Sequence, residues 1–167
     1  MAGEARAVST QAWGLAASVA LCFAAAALGG AASIEAGSFY AGLQRPDWAP
    51  PGWLFGPVWT TLYALMAFAA WWVWRSDQST LMRRSLILFV IQLVANALWS
   101  WLFFVWHLGG WAFLDTLVLA ALVGTTMGLF WRIRPLAGAL LLPYLLWVCF
   151  AAALNFAVWT LNPGALG

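Results

Sequence analysis

Five apolar runs, none with an Arg or Lys in its interior, dominate the chain: Ala12–Ala32, Gly52–Trp74, Ser85–Trp106, Trp111–Trp131 and Leu136–Trp159. They hold 21, 23, 22, 21 and 24 residues. About 20 apolar residues suffice to cross the hydrocarbon core of a bilayer as a helix. Inside that core the backbone must satisfy its own N–H and C=O groups, and a helix does so within one segment. The expected fold is an all-α membrane protein, a five-transmembrane-helix bundle. It forms one domain over residues 12–162, between a short tail at 1–11 and another at 163–167. Only 7% of the 167 residues are charged, against about a quarter in soluble domains. A water-soluble globule is thereby excluded.

The few charges set a sidedness. Arg6, Arg75, Arg83, Arg84, Arg132 and Arg134 fall on one side of the five spans, and only Arg45 on the other. Positive residues favour the cytoplasmic side, so a multi-pass protein with a cytoplasmic N-terminus is expected. The sequence does not say in which membrane. The first span resembles a secretory signal with a cleavage site at Ala31-Ala32-Ser33, but its apolar stretch exceeds the usual 7–15 residues, roughly. A net charge of +2 is too small for a nucleic-acid footprint. Cys22 and Cys149 read as small core residues. A single histidine, His107, excludes a site built from several His ligands and leaves open only a single axial contact to a cofactor; no metal site is expected.

Most connections are short. His107–Gly110 reads as a tight glycine turn and Arg132–Pro135 as another. The exception is Ser33–Pro51, which holds Tyr40, Arg45, Pro46, Asp47, Trp48 and the Pro50-Pro51 pair. Loops of this length are usually functional or disordered. Prolines and aromatics favour order here, and the segment is expected to act as a lid.

The 14 tryptophans divide by depth. Eleven lie near span ends or in the loop, where indoles favour the membrane interface. Trp59, Trp99 and Trp147 lie deeper. Trp59 and Trp99 sit seven residues in from the outer ends of their spans, roughly 10 Å at the helical rise. Tyr63, Asn96 and Trp147 sit roughly 15–18 Å deep. Helical spacing places Phe55, Trp59, Tyr63 and Met66 on one face of the second span. Gln92, Asn96, Trp99, Ser100 and Phe103 form a stripe on the third. Tyr144, Trp147, Ala151, Asn155, Val158 and Asn162 form one on the fifth. Unpaired amides are costly in hydrocarbon, so these stripes should face the bundle interior. There the amides serve either as interhelical hydrogen-bond partners or as the polar points of an aromatic pocket.

Pro57 and Pro143 are expected to bend the second and fifth spans. Gly124 and Gly128 form a G-x-x-x-G in the fourth, for close packing within the bundle or in a homodimer. Asp115 is expected to anchor loop backbone or Arg45.

Phe39–Trp74, with W-x-P-P followed by V-W-x-x-L-Y, resembles the hallmark of the tryptophan-rich sensory protein/translocator protein (peripheral benzodiazepine receptor) family. Asn96–Phe104, Gly109–Asp115 and Pro143–Asn162, with P-Y-L-x-W-x(6)-L-N, are similar to its third, fourth and fifth helices. The resemblance covers roughly residues 30–162. It implies a five-helix bundle, often homodimeric, that binds porphyrins such as protoporphyrin IX or haem-type molecules without an obligatory cofactor. Carried over by position, the ligand-binding residues would be Trp59, Tyr63, Asn96, Trp147 and Ala151, under a lid containing Trp48 and Pro51. Trp99 joins them from the depth argument. Light-dependent porphyrin breakdown ascribed to bacterial members would make Trp59 and Trp147 the catalytic pair. The animal members' sterol motif needs a Tyr and then a Lys or Arg. Phe156 and Thr160 stand at those places, which disfavours sterol binding through it.

Three functions follow: a tetrapyrrole-binding sensor or regulator, a photo-oxidative porphyrin-degrading enzyme, or a translocator. The spans hold no nucleophile–base pair. They also lack the intramembrane charges that mark ion-coupled pathways, so binding ranks first.

Overall fold

The computed structural model describes residues 8–76 and 79–167; Arg6 with the rest of the first seven residues, and Asp77 and Gln78, lie outside them. Five helical spans cross: α1 (Val8–Ala32), α3 (Phe55–Ser76), α4 (Thr80–Ser100) continued by a π turn (Trp101–Val105), α5 (Gly109–Ile133), and α6 (Pro135–Ala139) followed by α7 (Leu142–Leu161). Shorter elements complete the described chain: α2 (Ala36–Gly42) within the long loop, a 3-10 turn (Gly52–Leu54) leading into α3, and α8 (Pro163–Leu166) at the C-terminus. The protein is thus a multi-pass, all-α membrane bundle. Among the described residues the first helix already runs from Val8, ahead of Ala12, through the polar Ser9, Thr10 and Gln11, none of which breaks a helix.

α1 packs on α3 and α4, α4 on α5, and α5 on α7, while α6 meets α3. α3 and α7 face each other through large rings rather than close backbones: Trp59 lies 6.2 Å from Tyr144 and Phe55 5.9 Å from Trp147, edge to face. The arginine-rich half is filled, with Phe89 stacked on Phe130 at 5.8 Å beside fully buried Met66 and Val73. There Arg134 Nε donates to Ser76 Oγ at 2.9 Å, joining two loops. The large cavity lies towards the other end, where the long loop is.

Several expectations change. Pro57 does not bend its span: it occupies the first turn of α3, where its missing N–H has no intrahelical partner to lose. Pro143, in the first turn of α7, does mark a break, at Leu140–Leu141. Gly124 and Gly128 are not used for packing within the chain, since a Cβ at either would meet nothing within 4 Å. The close approach falls instead to Gly138, where a Cβ would lie 2.9 Å from the Trp131 backbone. The turn before α5 is made by His107, at φ 56, and not by glycine. Gly109 and Gly110 instead clear space for the Trp159 indole. Cys149 is exposed on the bundle exterior, unlike Cys22. Asp115 is no anchor: its Oδ2 is enclosed without a hydrogen-bond partner among the described residues. The C-terminal segment is docked rather than loose, with Leu166 fully buried and Trp159 Nε1 donating to Gly167 O at 2.8 Å.

Candidate functional site

Two hydrogen-bonded bridges tie the helices together at mid-depth. Tyr63 of α3 donates its hydroxyl to Asn96 Oδ1 at 3.2 Å, and Asn96 Nδ2 donates to the Tyr144 hydroxyl at 2.7 Å. One amide of α4 therefore joins three helices. Nearer the long loop, Trp99 Nε1 donates to Asn155 Oδ1 at 3.0 Å, and Asn155 Nδ2 donates to Gly109 O at 3.0 Å. Tyr63, Asn96, Tyr144 and Asn155 are all buried. The expected polar stripes do face inward, and Asn96 and Asn155 act as interhelical bridges. Gln92, one turn deeper, donates weakly to Met66 Sδ at 3.8 Å and leaves its Oε1 unpartnered.

Above the Tyr63–Asn96 bridge lies a cavity of about 630 Å³. Its aromatic wall is formed by Phe55 and Trp59 of α3 and by Trp99 and Phe103 of α4 and its π turn, with Ala151 and Asn155 from α7. Trp99 and Phe103 stack at 5.4 Å, and Trp59 leans on Tyr63 at 5.7 Å. α1 supplies a further wall, where Ala26, Ala27, Gly29 and Gly30 present almost no side chain and Phe23 adds one ring, 6.4 Å from Tyr63. Gly30, Gly56 and Thr60 line the cavity yet are exposed, which places its mouth between α1 and α3.

The roof is the long loop, and it is held in place. Asn162, at the end of α7, accepts from Gln44 N at 2.8 Å and donates to Gln44 O at 2.8 Å. Phe39 of α2 stacks on His107 at 4.4 Å, so the lone histidine braces the roof and does not line the cavity. Tyr40 of α2 does line it. Burial pushes the Tyr40 phenol pKa up from its ordinary value near 10.0, partly opposed by the charge of the nearby Arg45 guanidinium and by hydrogen bonding from it.

Trp59, Tyr63, Asn96, Trp99 and Ala151 thus converge on the cavity. Trp147 stands behind Phe55 and lines a separate space of about 20 Å³ that it shares with Trp59, Asn96, Trp99 and Ala151. Its enclosed indole N–H has no partner among the described residues. Trp48 and Pro51 do not line the large cavity; Trp48 is half exposed and packs edge-on against Phe150 at 5.8 Å. Sequence reasoning missed Tyr144 as the third member of the deep bridge, Tyr40 as the roof and α1 as a wall. Tyr144 lay in the fifth-span stripe, so spacing held its signal; nothing in α1 stood out.

Comparison with known proteins supplies a family. The model of the TspO/MBR family matches residues 18–160. The chain is 38% identical over 134 residues to the translocator protein of Sus scrofa, covering 77% of this chain and 78% of that protein. It is 39% identical over 148 residues to protein CrtK of Rhodobacter capsulatus, covering 87% and 92% of the two chains. Against the tryptophan-rich protein TspO of Chlorobaculum tepidum the identity is 37% over 154 residues, covering 89% and 96%.

Proposed function

The chain belongs to the TspO/MBR family of membrane proteins, and on that footing we propose that it binds a flat tetrapyrrole of the protoporphyrin IX type and acts as a sensor or regulator. The observation that carries this reading is the composition of the cavity wall. Its volume of about 630 Å³ falls within the range of roughly 300–1,000 Å³ for small-molecule sites. α3, α4 and its π turn supply the rings of Phe55, Trp59, Trp99 and Phe103, and α1 supplies Ala26, Ala27, Gly29 and Gly30 with the single ring of Phe23, a slot suited to a planar body held by stacking and dispersion. The deep polar groups already bond each other, so they ask nothing of the ligand. Among the described residues no Arg, Asp or Glu stands in the cavity wall itself, which leaves a charge-coupled carrier without a coupling group there. The arginine-rich end is proposed to face the cytoplasm.

The test is a titration of the protein in nanodiscs with protoporphyrin IX, read by tryptophan quenching and the porphyrin absorption band. Gly30→Phe enters the mouth without meeting backbone, since a Cβ at Gly30 has nothing within 4 Å. Saturable binding weakened at least about tenfold by this substitution, a loss of about 1.4 kcal/mol, is expected. Non-saturable quenching, or affinity untouched by Gly30→Phe, refutes the site. Parallel runs in light and darkness separate binding from conversion: a product that requires the protein and disappears in Trp59→Phe marks catalysis instead.

A further inference from the structure

Polar groups around the cavity are not equally satisfied. Tyr63, Asn96, Trp99 and Asn155 are consumed by the two interhelical bridges. Ser33 and Thr60 donate their hydroxyls back to Gly29 O and Gly56 O, each at 2.9 Å. Among the described lining residues one enclosed side-chain polar atom has no partner, the hydroxyl of Tyr40. Tyr40 is 8% exposed, and its ring packs edge-on against Phe55 at 5.7 Å, so the phenol cannot swing to water without opening the roof. The Arg45 guanidinium carbon lies 4.9 Å from the centre of that ring. Arg45 is exposed and forms no ion pair with a described carboxylate, Asp47 two residues on included. It is the single arginine at this end of the bundle. A phenolic proton without an acceptor and a cation without a counter-ion therefore stand side by side, Tyr40 on the cavity wall and Arg45 just outside that wall, leaning over the Tyr40 ring and towards its hydroxyl.

We propose that this corner is an anion subsite, in which the Tyr40 hydroxyl and the Arg45 guanidinium receive the carboxylate of an amphipathic ligand whose flat apolar body lies against Phe55 and Trp59. The inference rests on the ligand reading above and narrows it to planar molecules that carry an acidic side arm. An ionised carboxylate accepts both the phenolic O–H and the planar guanidinium fork, and such charge-assisted bonds are the stronger kind. The roof, with its low-dielectric floor, strengthens the attraction relative to open water. Orientation follows: the acid points towards the long loop and the apolar edge towards the Tyr63–Asn96 bridge. A neutral ester of the same body keeps the stacking and loses the anchor.

The experiment compares acid and ester in two chemical series, protoporphyrin IX with its dimethyl ester and pyrenebutyric acid with its methyl ester. Nanodiscs of zwitterionic lipid at neutral pH keep anionic headgroups from competing. The protein is expected to hold each acid about tenfold more tightly than its ester, with Arg45→Gln and Tyr40→Phe each cutting the ratio to about twofold or less. Arg75→Gln, which removes the guanidinium over Trp71 at the opposite end, leaves the ratio unchanged. Equal affinity for acid and ester, or a preference that survives both substitutions, overturns the subsite. The pyrene pair separates the two readings. Discrimination there without porphyrin binding upholds the subsite and removes the tetrapyrrole. Porphyrin binding blind to esterification does the reverse.

Discussion

Asn96→Leu tests whether one amide holds three helices. The substitution is close in volume, so it removes hydrogen bonds without opening a large void. It abolishes the 3.2 Å bond from Tyr63 and the 2.7 Å bond to Tyr144. Each neutral bond is worth about 0.5–1.5 kcal/mol net, and inside membranes interhelical bonds average about 0.6 kcal/mol. A stranded buried hydroxyl adds about 1–3 kcal/mol. Tyr144 is fully buried, so its hydroxyl does not reach water, whereas Tyr63, 5% exposed, borders the cavity. The expected loss is about 2–4 kcal/mol. Because much of that is stranding rather than bonding, removing the hydroxyls as well should restore stability. The triple variant Asn96→Leu, Tyr63→Phe, Tyr144→Phe is expected within about 1 kcal/mol of the parent and above the single variant. Reversible unfolding in mixed micelles, followed by tryptophan fluorescence, measures all three. A single variant within about 0.5 kcal/mol of the parent, or a triple variant less stable than the single, refutes the reasoning.

Asn162→Ala severs the two bonds that fasten the long loop to α7. Amide exchange at Gln44 and along α2 should quicken and proteolysis within residues 43–51 should rise, while the melting of the spans barely moves. Gly138→Ala forces a Cβ to 2.9 Å from the Trp131 backbone and should cost about 1–3 kcal/mol. Gly124→Ala meets nothing and should be neutral or stabilising by up to about 1 kcal/mol in thermal unfolding. The Tyr40 phenol has its pKa raised by burial, so the folded roof favours its protonated form. The stability this lends is complete below the ordinary value near 10.0 and is lost as pH rises through the folded value. Loop proteolysis should therefore climb in alkali, and Tyr40→Phe should blunt that rise; an identical alkaline profile in the variant refutes it.

The five spans were legible because their signal is an excess: no other structure buries that much uninterrupted apolar sequence in lipid. The inward stripes were legible for a related reason, since Gln92, Asn96 and Asn155 are costly anywhere but the interior. What escaped the sequence were features made of local geometry. The π turn Trp101–Val105 lies in an unbroken apolar run with no Gly or Pro to announce it. It aims Phe103 at the cavity while Trp101 Nε1 reaches Leu28 O at 3.2 Å. The helix Ala36–Gly42 has only seven residues, too few for a periodic pattern to register. Pro57 shows the opposite error, a residue with a strong rule whose consequence depends on its place. In the first turn of α3 that rule costs nothing.

The tryptophans make the same point about position at finer scale. Interface placement accounts for Trp13, Trp53 and Trp111, each more than half exposed at a span end. It does not account for Trp71 and Trp101, whose indoles donate to Gln11 O at 2.9 Å and Leu28 O at 3.2 Å. These two bonds pin α1 to the bundle at both ends, and α1 needs pinning because its small side chains give it little to interlock. The same small side chains open the slot facing Trp59. A wall built mainly from Ala26, Ala27, Gly29 and Gly30, with Phe23 as its one ring, carries little chemical mark, so sequence reasoning that searches for chemistry passes over it. Its contribution is volume withheld. Of the deep indoles, Trp59 and Trp99 face that empty volume, whereas Trp147 meets only the small space behind Phe55. Similar depth, which position in the chain supplies, therefore brings the three indoles together only at the small space, while the large cavity takes Trp59 and Trp99 alone.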